Sequence, residues 1–318
     1  MRKNKVLLWL LAPALCAVLS SCSKSPEAML ASGNAALASG DFKLAIDFYN
    51  RLLSDHPANP AALTSRGMAQ EKIGDRRKAI ADYEAAMEAD RSYIPAYNNL
   101  AALKIDAGQP QTAIDLLNKV LSQKPGYALG YTNRGTAYFM QKDFSSALAD
   151  LEKAVSLDPR SPAALFNRGL VYSALNRHQE ALNDFNSTLE LSPRLARAYI
   201  ARGKSRLALK DREGALADFS KVLELYPELG PGHYYKAVAL YEAGMKDQAL
   251  ASADKAIALM PVYAPAFELR GDILFETDPA EAVKSYLSAS RLDPSNSQGY
   301  DSKMTLAQNR LRSQKAGK

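Results

Sequence analysis

Apolar residues recur at helical spacing along most of the chain. In AALFNRGLVYSALNRHQEALNDF, residues 163–185, Leu165, Gly169, Tyr172 and Leu175 fall on one face of a helix. Two residues are unusual there. Gly169 costs about 1 kcal/mol against Ala in a helix interior. Arg168 sets a permanent charge beside the core.

Repetition accounts for both. Gly33, Gly67, Ala101, Gly135, Gly169, Gly203, Ala237 and Gly271 stand 34 residues apart. Twelve residues after each comes an alanine, from Ala45 to Ala249, and the eighth, Ala282, comes one residue early. Pro57, Pro125, Pro159, Pro193, Pro227 and Pro261 keep the same interval; Arg91 fills the gap and Pro294 is again one early. The common shift places one deletion in ETDPAEA, where Asp278 and Pro279 read as a helix cap and first helical residue.

The pattern of small residue, Tyr (RGTAY, RGLVY), Ala, aromatic or Leu, then Pro resembles the tetratricopeptide repeat. The aromatic or Leu slot holds Tyr49, Tyr83, Leu117, Leu151, Phe185, Phe219 and Tyr286, with Ala253 as a departure. The Trp of the family's first helix is replaced by Leu63, Tyr97, Tyr131, Leu165, Tyr199 or Phe267. The resemblance implies an all-α fold: a right-handed superhelical solenoid of helix-turn-helix units. The small residue on the first helix then faces the Ala on the second, Gly169 against Ala181. Gly40, Gly74, Gly108, Asn176 and Gly244 suit left-handed turns between the helices. Eight repeats occupy residues 27–297, a capping helix 298–312 and a basic tail 313–318.

Comparison among the repeats gives the arginines partners. Arg66, Arg134, Arg168 and Arg202 are each followed sixteen residues later by Asp82, Asp150, Asp184 and Asp218. Repeats lacking the Arg lack the Asp. A planar guanidinium beside the core needs a carboxylate, so the spacing predicts an ion pair joining the two helices of one repeat. Arg270 faces Ser285 and needs another acceptor. An anion-binding ladder is the functional alternative.

Residues 1–21 carry a different pattern. A basic start, MRKNK, precedes an unbroken apolar run over residues 6–19, of signal-peptide length and short for a membrane span. Leu19-Ser20-Ser21-Cys22 is similar to a bacterial lipobox. That resemblance implies cleavage before Cys22, lipidation of its thiol, and a short tether over residues 22–26. Several acyl chains give stable anchoring. Ser23, where an Asp would favour inner-membrane retention, points to the outer membrane facing the periplasm. An ordinary secretory signal and an uncleaved anchor are the alternatives.

Composition narrows the function. The net charge of +6 owes half its value to Arg2, Lys3 and Lys5, so the body gives no argument for a nucleic-acid partner. The two cysteines, Cys16 and Cys22, leave the body without a disulfide or a cysteine metal site. His56, His178 and His233 are dispersed, and no catalytic, metal or cofactor-binding motif stands out. The family resemblance directs attention to the inner face of the first helices. There the register places Met68, Ile105, Phe139, Phe166, Leu170, Ile200, Leu207, Tyr234, Val238 and Tyr241, with Asn98, Thr132 and Thr136 among them. An apolar and aromatic lining suits protein or peptide segments of envelope proteins. A glycan-binding or enzymatic site would have to use Glu71, Lys204, Glu268 and Asp272, and a self-associating structural lipoprotein is a third reading. The lipobox reading predicts that Cys22→Ala moves the protein from the membrane to the soluble fraction on cell fractionation. A variant that stays membrane-bound would contradict it.

Overall fold

The computed structural model describes residues 25–316, so Cys22 and the apolar run before it lie outside the described residues. Among these residues every regular element is a helix. Two compact units divide the chain, residues 1–96 and 97–318, and the boundary falls within one helix. The first unit holds α1 (Pro26–Ser39), α2 (Phe42–Asp55), α3 (Pro60–Lys72), α4 (Arg76–Ala89) and the first turn of α5 (Ile94–Asp106). The second continues α5 through α6 (Pro110–Gln123), α7 (Ala128–Met140), α8 (Phe144–Leu157), α9 (Pro162–Ala174) and α10 (His178–Leu191). It then runs through α11 (Ala196–Ala208), α12 (Arg212–Leu225), α13 (Gly230–Glu242), α14 (Lys246–Leu259), α15 (Ala264–Leu274) and α16 (Pro279–Leu292). A 3-10 turn, Pro294–Asn296, leads into α17 (Ser297–Ala316). Short turns fold α1 to α16 into eight antiparallel pairs, one per sequence repeat.

Local chemistry sets where the helices begin and end. Asp41, Asp75, Asp143, Asp211 and Asp278 cap second helices by accepting a backbone N–H three residues on. Asn59 and Ser161 do the same for first helices. The turn within a pair needs a left-handed residue, supplied by Gly40, Gly74, Gly108, Asn176 and Gly244. Lys142 (φ 62°) and Lys210 (φ 66°) occupy the same slot in the two pairs where the sequence offers neither Gly nor Asn. The repeat frame imposes that conformation on them at a cost of about 1–2 kcal/mol each. In the eighth pair the deletion shortens α15 to 11 residues, and the turn closes on the Asp278 cap without a left-handed residue.

The small-residue column meets a second partner beside the alanine that the spacing suggested: a Cβ on Gly135 would lie 3.2 Å from the Ala147 carbonyl oxygen, and in five pairs the atoms nearest the glycine belong to an aromatic ring. A Cβ on Gly169 would stand 2.6 Å from the Phe185 ring, on α10, and Ala181 is not among its nearest neighbours. Gly33, Gly67, Gly203 and Gly271 meet Tyr49, Tyr83, Phe219 and Tyr286 in the same way. Those rings are at most 2% exposed. Where the small residue is Ala101 or Ala237, the slot holds Leu117 or Ala253. Gly135 is the exception among the six glycines, since it meets Leu151. In the other five pairs the glycine is the vacancy that admits an aromatic ring between two helix backbones, and a ring of that size contributes far more burial than the glycine costs.

The arginines join three helices. Arg66 Nε and Nη2 donate to Asp82 at 2.8 and 2.7 Å, while Nη1 reaches back to Asn50 of the preceding pair at 2.7 Å. Arg134 repeats this with Asp150 and Asn118, and Arg202 with Asp218 and Asn186. Arg168 grips Asp184 at 2.8 and 2.7 Å, with Glu152 in place of the asparagine. Arg270 finds Asp254 and Ser285, both at 2.8 Å. The acceptors Asn50, Asn118 and Asn186 lie sixteen residues before their arginines, a column the forward spacing missed. In the first four clamps the aspartates are buried and their arginines only 17–23% exposed. Hydrogen bonds to the carboxylate raise the pKa of the Arg134 and Arg168 guanidinium groups.

α17 follows the last pair as a further first helix, burying Tyr300 and Ala307. It starts within one residue of the expected cap and runs on through part of the stretch read as a tail, to Ala316. Arg310 pairs with Glu276, which helps to order that extension.

Two stability experiments follow. Gly169→Ala should lower stability by about 1–2 kcal/mol, overpacking exceeding the gain in helix propensity. In a Phe185→Leu background, which recreates the Ala101 and Leu117 combination, the same change should cost much less. Equal cost in both backgrounds, read from urea melts, would separate Gly169 from the ring. Asp184→Ala should cost about 3 kcal/mol, since it strands a half-buried guanidinium, and should leave partner binding intact. A variant that kept its melting temperature but lost a partner would turn the clamp into a binding site.

Candidate functional site

In the second unit the first helices of successive pairs pack on one another: α7 on α9, α9 on α11, α11 on α13 and α13 on α15. The second helices make their main contacts with first helices. The unit therefore has an inner side made of first helices, the preformed kind of surface on which docking costs little reorganisation. In the first unit α1 and α3 are adjacent in the same way.

The inner-face residues named from the register fall into three groups. Phe166, Leu170 and Ile200 come together around a cavity of about 220 Å³ between α9 and α11, closed by Ser173, Arg197, Ala201 and Lys204. Phe166 is itself only 4% exposed and supplies the floor through its ring. Tyr234, Val238 and Tyr241 on α13 are half-buried around Leu240 and Ile273. Burial, then the neighbouring Tyr263 and Tyr235, push the Tyr234 hydroxyl up to about 12, so it stays a neutral donor. Phe139 packs on Phe144 with ring centroids 5.7 Å apart, and Ile105 is half-buried on α5. Met68 is exposed on α3, in the first unit. Leu207 differs from the expectation. It is 9% exposed in a core cluster with Ala215, Phe219 and Ala239, because α11 turns it into the seam with the next pair.

The face is more polar on α5, α7 and α9 than the aromatic residues suggested. Asn133 donates to Asn98 at 3.0 Å, and Asn167 to Thr136 Oγ1 at 2.8 Å. Asn99, Asn133 and Asn167 recur at the 34-residue interval, a signal present in the sequence. At the other end the carboxylates are engaged. Lys303 of α17 donates to Glu268 at 2.7 Å and to Asp272 at 2.9 Å, and the Tyr286 hydroxyl donates to Asp272 at 2.9 Å. Glu71, in the first unit, accepts from the Tyr83 hydroxyl at 2.8 Å. Lys204 lies with its ammonium 5.3 Å from the Tyr235 ring. Among the described residues there is no metal-ligating cluster, and no helix long and apolar enough to cross a membrane.

A larger cavity, about 630 Å³, lies in the first unit between α2, α3 and α4. Arg66 and Asp82 line it, already bonded to one another, as are Lys78 and Asp75. Lys43 and Asp47 complete its charged lining, which is balanced in sign, and it reads as the groove beside the clamp.

Fold and face together define a helical-repeat protein that presents a row of first helices for docking. The sequence assigns it further. Models of the tetratricopeptide repeat match residues 13–62, 30–94 and 98–162, residues 135–207 and residues 194–228, and the chain belongs to that family. No curated protein matches the sequence. Among solved structures, the Cut9–Hcn1 assembly of the APC/C is similar over 78% of this chain, with TM-score 0.71 and 18% identity. This chain spans about half of that one, 49%. A tetratricopeptide repeat protein from Parabacteroides merdae matches 78% of this chain and 98% of its own, with TM-score 0.60 and 20% identity. PilW, a type IV pilus biogenesis factor, matches 65% and 96%, with TM-score 0.60 and 16% identity. At these identities the likenesses show the fold.

Proposed function

We propose that this protein is a membrane-anchored scaffold that holds protein partners on the inner face of its first helices, in assembly or maintenance of the cell envelope. The observation that carries the reading is the inner face itself. Half-buried apolar and aromatic side chains lie on α7, α9, α11 and α13, and hydrogen-bonded amides stand on α5, α7 and α9. A preformed surface of this composition favours binding. The carboxylates nearest to it are held by Lys303 and Tyr286, which speaks against an acid–base role for them. The lipobox-like Leu19-Ser20-Ser21-Cys22 supports the anchor, and a fold shared with PilW is compatible with envelope work.

Crosslinked pulldown from envelopes tests the reading, with the wild type compared with the Phe139→Glu/Tyr241→Glu variant. The variant should recover the partners at a tenth of the wild-type level or less while keeping its helical circular-dichroism spectrum. Equal recovery would remove the inner face as the docking surface.

A further inference from the structure

The cavity between α9 and α11 is bracketed by two cations that the protein leaves without carboxylates. Arg197 lies with its guanidinium 4.6 Å from the Phe166 ring, and Lys204 with its ammonium 5.3 Å from the Tyr235 ring. Both are exposed, and among the described residues neither forms an ion pair. Their neighbours behave otherwise: Arg168, Arg202 and Arg206 are all bonded to aspartates. Arg197 and Lys204 are seven residues apart on α11, about 10 Å along the axis. Leu170, Ile200 and Ala201 lie between them in the cavity wall. The inner positions of α9 and α11 carry no acidic residue.

We infer that this is a specificity site for an acidic segment of a partner protein, with one apolar side chain in the cavity and a carboxylate on each side of it. The inference rests on the docking role of the inner face and names its occupant. Charge complementarity carries it. The ring faces hold the cations in place, and a carboxylate from outside supplies the counter-charge the protein omits. A lysine flanking the anchor would meet like charge at both ends, so the site selects against basic segments as well as for acidic ones. In an extended segment the flanking acids would stand about three residues apart.

Fluorescence anisotropy of the purified protein tests this with two short labelled peptides, one leucine flanked by glutamates and the same leucine flanked by lysines. The acidic peptide should bind at least tenfold more tightly than the basic one, and raised salt should erode the difference. Arg197→Glu/Lys204→Glu should invert the preference with only a small fall in melting temperature, since each exposed side chain gives up a ring contact and no ion pair. Leu170→Ala/Ile200→Ala should weaken the acidic peptide. Equal affinity for the two peptides, no binding of either, or a preference that survives charge reversal would each overturn the inference. The envelope pulldown with the Phe139→Glu/Tyr241→Glu variant reads the docking role separately. Loss of partners there, with no charge preference here, would keep the face and discard its acidic occupant.

Discussion

In seven of the eight helix pairs a residue with no side chain, or almost none, stands opposite a large one fifteen or sixteen residues later; Ala237 and Ala253 are the exception. Between Gly169 and Phe185 the vacancy is as wide as the missing Cβ, which would lie 2.6 Å from the ring. A ring that passes so close to a backbone fixes the depth of the pair and the angle at which its helices cross. The next pair can then add in the same register. The polar clamps depend on that spacing. Arg168 and Asp184 are the neighbours of Gly169 and Phe185 in the chain, so the approach that seats the ring also brings guanidinium and carboxylate to 2.7 Å.

The clamps do a second job. A ring against a glycine joins two helices of one pair and says little about the next. Arg66, Arg134 and Arg202 reach forward to an aspartate of their own pair and back to an asparagine of the pair before. Five donors in a fixed plane suit that task, and lysine could not replace arginine there.

Function is confined to what construction leaves over. The core takes the glycine and ring columns, and the outer groove takes the arginines. The inner side of the first helices remains, and there the repeats differ from one another. Amides line α5, α7 and α9, cations flank a cavity on α11, tyrosines cover α13, and acids on α15 are neutralised by α17. A repeat protein can change most of these residues with little disturbance of its frame; Asp272 and Phe166, which touch the column residues Tyr286 and Phe185, are tied to it.

The columns were legible in the sequence because a periodic fold writes its contacts at a fixed interval. Glycine, alanine, proline, arginine and aspartate recur at multiples of 34 residues; the interval delivered the deletion near Asp278 and the spacing between Arg168 and Asp184, and the family resemblance it carries implied the helix pairs. The expectation that set Gly169 against Ala181 left out the ring between them, since spacing along two helices does not say which side chain crosses the gap; Phe185 does, by its size. The register placed Leu207 on the inner face, whereas the side chain is buried in a cluster with Phe219 and Ala239. Only the tertiary structure decided which charges are spent. Lys303 and Lys204 look alike as letters, yet one is bonded to Glu268 and Asp272 and the other has only a ring beneath it. Short-range periodicity fixes the frame because its contacts repeat. The charge state of a surface depends on partners brought together from distant repeats, and only packing sets those distances.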